Sequence, residues 1–364
     1  MKHVSVMIKP ASSMCNMQCT YCFYRDVSSN REVTSYGFMS NATALMILKN
    51  IFIDLTPGTS LTIAFQGGEP TMAGLDFYKQ FVDAAKGLAK GITISWAFQT
   101  NGLVVDNEWC QFFKENRFLV GLSMDLIDHN ANRVDKEGKG TRNSVQNTLH
   151  LINKHEVEHN ILCVLTNQLA RYPIRVWKSL VQLNVKHVQF IPCLNSFNET
   201  TPMGLTPKRF AGFYNEIIPL WYKAFTAGNY ISIKLIDDIV NLLAKNMVTA
   251  CGLTGQCMPQ FIVESDGSVY PCDFYVLDKY RVGSFCEDSI KQLFENDIMQ
   301  GFTNERKSIG ELCKQCRFVN ICKSGCKRMK EEMYYRDESN FCGYENVLNE
   351  NWNIFSSVGK MILM

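Results

Sequence analysis

Three cysteines, Cys15, Cys19 and Cys22, stand on one short run near the start of the chain, and nine more crowd its last third. Thiols so placed restrict the fold, because those that share a metal centre have to converge. The first field reads C-x3-C-x-aromatic-C, with Tyr21 as the aromatic residue. Thiolate is the soft ligand that iron–sulfur clusters take, so three on one loop can hold three irons of a 4Fe–4S cube and leave the fourth open. A three-thiolate zinc loop is the alternative that the same residues allow.

Composition narrows the partners. The 364 residues carry 37 basic against 35 acidic side chains, a net charge of +2 that suggests neither nucleic acid nor an anionic membrane as partner. Apolar stretches such as Phe118-Leu119-Val120-Gly121-Leu122 fall far short of a membrane span. The first ten residues, Met1 to Pro10, lack an apolar stretch and a small-residue cleavage site, so no export signal is expected. Fifteen cysteines in a chain without export favour metal or redox use over disulfides, and the expected compartment is the cytoplasm of an anaerobic or facultative cell.

From the start to about residue 235, short apolar segments alternate with amphipathic ones. Val4–Ile8, Leu61–Phe65, Thr93–Phe98, Leu119–Met124, Asn160–Leu165 and His187–Ile191 read as strands. Ala42–Leu55, Asp76–Ala89 and Glu108–Glu115 read as helices between them. Strand–helix alternation predicts parallel βαβ units and an α/β barrel, open or closed, with its chemistry at the C-terminal strand ends. The Cys15–Cys22 loop follows the first strand and Gln66-Gly67-Gly68-Glu69-Pro70-Thr71 follows the second, which puts both on one face. A longer helix is expected from Thr206-Pro207 to about Ala227, and another from about Ile233 to Lys245. Beyond Cys251 the sequence reads as Cys-rich loops and short strands, so the expected domains are 1–235 and 236–364.

The second field holds Cys251, Cys257, Cys272, Cys313, Cys316, Cys322, Cys326 and Cys342, with C-x2-C-x5-C-x3-C from Cys313 to Cys326. Eight thiols suffice for two four-thiolate iron–sulfur clusters or for two structural zinc sites. Cys110, Cys163, Cys193 and Cys286 fit neither field, and the apolar surroundings of Cys163 and Cys193 predict small core residues.

The first loop resembles that of the radical S-adenosylmethionine (radical SAM) family, and the second field resembles the SPASM domain appended to peptide-modifying members. The resemblance implies a partial (β/α)6 barrel followed by a C-terminal Cys-rich SPASM domain, and three 4Fe–4S clusters. In the family the open iron chelates S-adenosylmethionine, whose cleavage yields a 5'-deoxyadenosyl radical. By the family pattern, Cys251, Cys257, Cys272 and Cys326 would hold one auxiliary cluster, and Cys313, Cys316, Cys322 and Cys342 the other. Gly67, Gly68 and Glu69 match the family's GGE turn, which receives the cofactor's ammonium. Ser123, Arg133 and Leu194 are carried over as further cofactor contacts, with Tyr21 along the adenine or cluster edge.

Closer likeness lies in Ile8–Ser13, Cys19–Tyr24, Ala64–Thr71, Gln99–Gly102 and Val269–Asp278, which look like anaerobic sulfatase-maturating enzymes. Those enzymes oxidise a Cys or Ser in an unfolded sulfatase segment to Cα-formylglycine. On that resemblance Asp273 is the base, Gln66 and Tyr24 face the substrate peptide, and a donor such as flavodoxin or ferredoxin supplies electrons. The chemistry asks for a carboxylate independently, since making an aldehyde equivalent from a Cβ–H bond requires loss of a side-chain proton. One stretch departs from the family's Ser-Met-Asp-Gly-Pro: here Ser123-Met124-Asp125-Leu126-Ile127 lacks Gly-Pro. Substrate identity therefore stays open between a sulfatase and another peptide modified by thioether, carbon–carbon crosslink or epimerisation. A non-catalytic zinc-binding module is the third reading.

Overall fold

The computed structural model describes residues 2–305, 309–336 and 339–363. Among the described residues ten strands run in chain order: β1 (His3–Ile8), β2 (Ser60–Phe65), β3 (Thr93–Thr100), β4 (Phe118–Ser123), β5 (His159–Leu165), β6 (His187–Pro192), β7 (Ser232–Ile233), β8 (Phe261–Val263), β9 (Ser268–Tyr270) and β10 (Gly283–Ser284). The six expected strands are β1 to β6, each within a residue or two of its predicted bounds. Two compact units form, one from Met1–Ser123, Asn130–His159 and Pro259–Glu305, the other from Met124–His129, Asn160–Met258 and Arg306–Met364.

In the first unit β1, β2, β3 and β4 pair in parallel in that order, and β8 joins the free side of β1, also in parallel. Antiparallel β9 and β10 extend that side. Helices Asn41–Phe52, Leu75–Leu88 and Asn107–Glu115 make the crossovers. Their starts are fixed by side chains: Ser40 accepts the Thr43 N–H, and Asp106 accepts the Trp109 N–H. Each such cap stabilises its helix by about 1 kcal/mol. Alternate residues of β1 and β2 are buried, as a sheet with one packed face requires. Phe65, Tyr78, Phe98, Phe113 and Phe118 form the aromatic core, with Phe65 4.9 Å from Tyr78 and Phe98 5.0 Å from Phe113 between ring centroids. Burying rings of this size stabilises the fold by about 1.5–3 kcal/mol each. The parallel register carries the residues after β1, β2, β3 and β4 to one edge of the sheet.

In the second unit β5, β6 and β7 pair in parallel. The helix Pro207–Thr226 starts at Thr206, which accepts the Arg209 N–H, with Pro207 in the first turn as expected. Beyond Cys342 the structure differs from the expected loops and short strands: Gly343–Glu350 and Trp352–Leu363 are helices. The reason is helical spacing, since Tyr344, Val347, Leu348, Phe355 and Val358 are all buried. Cys163 and Cys193 are buried in the core. No described helix is long and apolar enough to cross a membrane.

Candidate functional site

At the β1 and β2 edge of the first unit, the Cys15–Cys22 loop and the Gln66–Thr71 turn touch. The Glu69 N–H donates to the Met14 carbonyl at 2.8 Å. Gly68 has φ +54° and a Cβ there would lie 2.1 Å from that same carbonyl, while a Cβ on Gly67 would lie 2.6 Å from Lys9 Cγ. Gly68 lets the turn close on the start of the cysteine loop, and Gly67 leaves room for the Lys9 side chain. Glu69 is buried, and its carboxylate accepts from the Thr71 N–H and hydroxyl, the Thr100 hydroxyl at 2.7 Å and the Asn101 N–H at 2.7 Å. Burial pushes its carboxyl up, and those hydrogen bonds oppose the shift. The carboxylate thus already braces β3 against the GGE turn.

Cys15, Cys19 and Cys22 are all partly exposed. Burial, then the nearby charge of Glu69 and of the other two thiols, pushes the Cys15 thiol up to about 12. Such crowding favours the protonated thiol, and bound iron reverses that preference. The Arg133 guanidinium lies over the Tyr21 ring at 5.4 Å from its centroid, and Arg133 is buried. Ser123 ends β4, also buried.

A second cluster of side chains meets in the same unit. Tyr24 donates to Asp273 Oδ2 at 2.7 Å, and Gln66 Nε2 donates to Tyr24 Oη at 2.5 Å and to Asp273 Oδ2 at 3.1 Å. The three residues expected to serve the substrate are therefore brought together. Burial, then the Asp273 charge, raises the Tyr24 hydroxyl well above its ordinary range, so it stays a donor. The sequence reading assigned no role to Lys9. Its Nζ lies 2.8 Å from Asp273 Oδ1 and 4.6 Å from the Tyr24 ring centroid. A charged residue directly after an apolar strand was the available signal.

In the second unit Leu194 is half-buried on the loop after β6. Its neighbour Asn195 donates through both its main-chain and side-chain N–H groups to Glu332 Oε1 at 3.1 Å, and its carbonyl accepts from Arg328 at 2.5 Å. Glu332 stands on a π-helical turn, Lys330–Tyr334, a distortion frequent at functional sites. The departure at Asp125 builds a local bend: the Asp125 N–H donates to His129 Nδ1 at 3.2 Å, and Leu126 and Ile127 are buried.

The donor set of the second field fits clusters. A Cβ on Gly252 would lie 2.7 Å from Cys326 Cβ, so the Cys251 loop packs hard on Cys326. Cys316 and Cys342 each accept a main-chain N–H at 3.4 Å, from Phe318 and Glu345, and Cys313 accepts the Ser324 hydroxyl at 3.4 Å. Burial, then the proximity of Cys322 and Cys313, pushes Cys342 up to about 12. Among the described residues no group of three or more His, Cys, Asp or Glu side chains closes on a single metal ion. A four-iron cube asks for a wider arrangement, with each thiolate on its own iron.

Comparison with known proteins agrees with this chemistry. The profile of the Radical SAM superfamily matches residues 10–169, and that of the SPASM iron–sulfur cluster-binding domain matches residues 255–317. The chain is 38% identical to the cysteine-type anaerobic sulfatase-maturating enzyme of Clostridium novyi (strain NT), covering 100% of this chain and 99% of the relative. It is 26% identical to the serine-type anaerobic sulfatase-maturating enzyme of Bacteroides thetaiotaomicron, over 90% of this chain and 83% of the relative. The solved structure of native anSMEcpe with bound AdoMet and Cp18Cys peptide superposes with a TM-score of 0.90 at 36% identity, covering 99% of both chains.

Proposed function

The chain belongs to the anaerobic sulfatase-maturating enzymes of the radical SAM superfamily, and from that membership we propose that it oxidises a peptidyl cysteine of a sulfatase to Cα-formylglycine. The observation that carries this reading is the meeting of Tyr24, Gln66 and Lys9 on the carboxylate of Asp273, directly after Cys272. Making an aldehyde equivalent from Cβ needs a hydrogen atom removed, a side-chain proton accepted and a second electron withdrawn. When bound, S-adenosylmethionine and the cluster held by Cys15, Cys19 and Cys22 supply the radical that removes the hydrogen. Asp273 accepts the side-chain proton. Lys9 neutralises that carboxylate from one oxygen while Tyr24 and Gln66 orient the other, which presents a fixed acceptor to the substrate.

Gly67, Gly68 and Glu69 shape the cofactor turn, and Tyr21, Ser123, Arg133 and Leu194 are assigned to S-adenosylmethionine. Cys251, Cys257, Cys272 and Cys326 are assigned to the first auxiliary cluster, and Cys313, Cys316, Cys322 and Cys342 to the second. A cysteine target is favoured over serine by the relatives: 38% identity to a cysteine-type enzyme against 26% to a serine-type one. A flavodoxin or ferredoxin is the class of donor proposed, in a reducing cytoplasm suited to oxygen-labile clusters.

The test is anaerobic reconstitution followed by incubation with two peptides bearing the sulfatase motif, one with Cys and one with Ser at the target. Mass spectrometry should show aldehyde on the Cys peptide, formed faster than on the Ser peptide. Cleavage of S-adenosylmethionine with either peptide left unchanged, or a thioether crosslink in its place, would overturn the reading.

A further inference from the structure

We propose that Asn101 is a positioning residue of the radical cluster, whose side-chain amide donates to the thiolate of Cys15 and raises the cluster's reduction potential. The proposal rests on the assignment of that cluster to Cys15, Cys19 and Cys22. Asn101 follows β3, is buried, and lies with its Nδ2 3.8 Å from Cys15 Sγ and 2.8 Å from Asn16 Oδ1. The main-chain N–H of Met17 reaches the same sulfur at 3.4 Å. Two N–H donors thus converge on Cys15.

The orientation of the amide follows from its partners. The Leu103 N–H donates to Asn101 Oδ1 at 3.0 Å, which requires the oxygen at that end and turns the NH2 group toward the cysteine loop. The residue cannot drift. Its main-chain N–H is held by Glu69 Oε2 at 2.7 Å, the next N–H, of Gly102, by the Thr100 hydroxyl at 3.0 Å, and the Gly102 carbonyl by the Thr148 hydroxyl at 2.6 Å. Asn101 therefore stands as a fixed dipole with its positive end at the sulfur, in a partly buried setting where such dipoles are less screened than in water.

Hydrogen bonds to ligand sulfurs are among the levers that set iron–sulfur potentials, because they stabilise the reduced, more negative cluster. Asn101 acts through Cys15 and touches no reacting atom. It makes the cluster easier to reduce, so a donor of modest potential suffices.

Potentiometry followed by electron paramagnetic resonance decides the matter, reading the signal that changes when S-adenosylmethionine is added. In Asn101→Ala the main-chain bond to Glu69 remains and the amide is lost. At a fixed potential near the midpoint, the ratio of reduced to oxidised radical cluster should fall about tenfold, which is 59 mV for one electron. The auxiliary potentials should stay in place. A wild-type potential in the variant, with full iron content, overturns the proposal. Absence of any Cys15-dependent, S-adenosylmethionine-responsive cluster in the wild-type enzyme would instead overturn the functional reading beneath it. Should Asn101→Ala fail to hold the cluster, the Asn16→Ala enzyme labelled with nitrogen-15 at asparagine side chains supplies the decision. Hyperfine coupling of one side-chain nitrogen to the reduced radical cluster supports the bond, and its absence overturns it.

Discussion

The ammonium of Lys9 lies 2.8 Å from Asp273 Oδ1, with 2% of the Lys9 side chain and 10% of the Asp273 side chain exposed. One residue follows β1 and the other follows Cys272, so a buried ion pair ties the central strand of the first unit to the proposed base. Removing one partner of such a pair leaves a buried charge uncompensated, at a cost of about 3–5 kcal/mol. Lys9→Met should therefore lower the melting temperature of the holoenzyme clearly, and formylglycine yield per S-adenosylmethionine cleaved should fall as the carboxylate loses its anchor. Lys9→Arg restores the charge and should recover part of both. Equal melting temperatures and equal coupling in wild type and Lys9→Met would show that the pair does neither.

Gly68→Ala tests the contact between the GGE turn and the cysteine loop. The added carbon would meet the Met14 carbonyl at 2.1 Å, in a left-handed backbone that alanine resists. Neither obstacle can relax without moving the Cys15–Cys22 loop. Iron content should drop toward the level of a triple Cys15/Cys19/Cys22→Ala variant, and S-adenosylmethionine cleavage should vanish with it. Full iron and wild-type cleavage in Gly68→Ala would mean that the loop tolerates displacement.

Strands β1 to β6 were legible because each is a short, apolar, β-branched or aromatic run between turn residues. The meeting of Tyr24, Gln66 and Asp273 was legible only through family likeness, since 249 residues separate Tyr24 from Asp273 and no local pattern joins them. Lys9 and Asn101 lay inside stretches that carried the likeness, yet their roles depend on where a side chain points at the edge of a sheet. The helices Gly343–Glu350 and Trp352–Leu363 were hidden by the cysteines before them, which drew the reading toward loops. Glu332 gave no sign at all, because its partner Asn195 is 137 residues away.

Glu332 gives a pH test. Burial raises its carboxyl above the ordinary range, while the hydrogen bonds from Asn195 and the charge of Arg328 work in the opposite direction. A raised carboxyl pKa means that folding prefers the protonated acid, a contribution complete below the ordinary value of 4.5 and lost as pH rises through the folded value. Glu332→Gln keeps an acceptor for Asn195 and cannot ionise. Its melting temperature should thus gain on the wild type as pH rises from about 4.5 to about 8, with the two converging on the acid side. A difference that stays constant across that range would show that Glu332 does not titrate differently on folding.

Asp273→Asn separates the proposed base from the fold around it. Asparagine keeps the size and retains an acceptor for Tyr24, but it cannot take up a proton at neutral pH, and it gives up the ionic attraction to Lys9. All three clusters should remain by iron and sulfide analysis. S-adenosylmethionine should still be cleaved, because cleavage is assigned to the Cys15, Cys19 and Cys22 centre alone. Formylglycine formation should fall by about 10²-fold or more, the range for losing a positioned base. The loss should persist in a Lys9→Met/Asp273→Asn double variant, where no unpaired ammonium is left behind. Product at the wild-type rate from Asp273→Asn would reduce Asp273 to a turn residue that accepts from Tyr24 at 2.7 Å, and the base would then be another group.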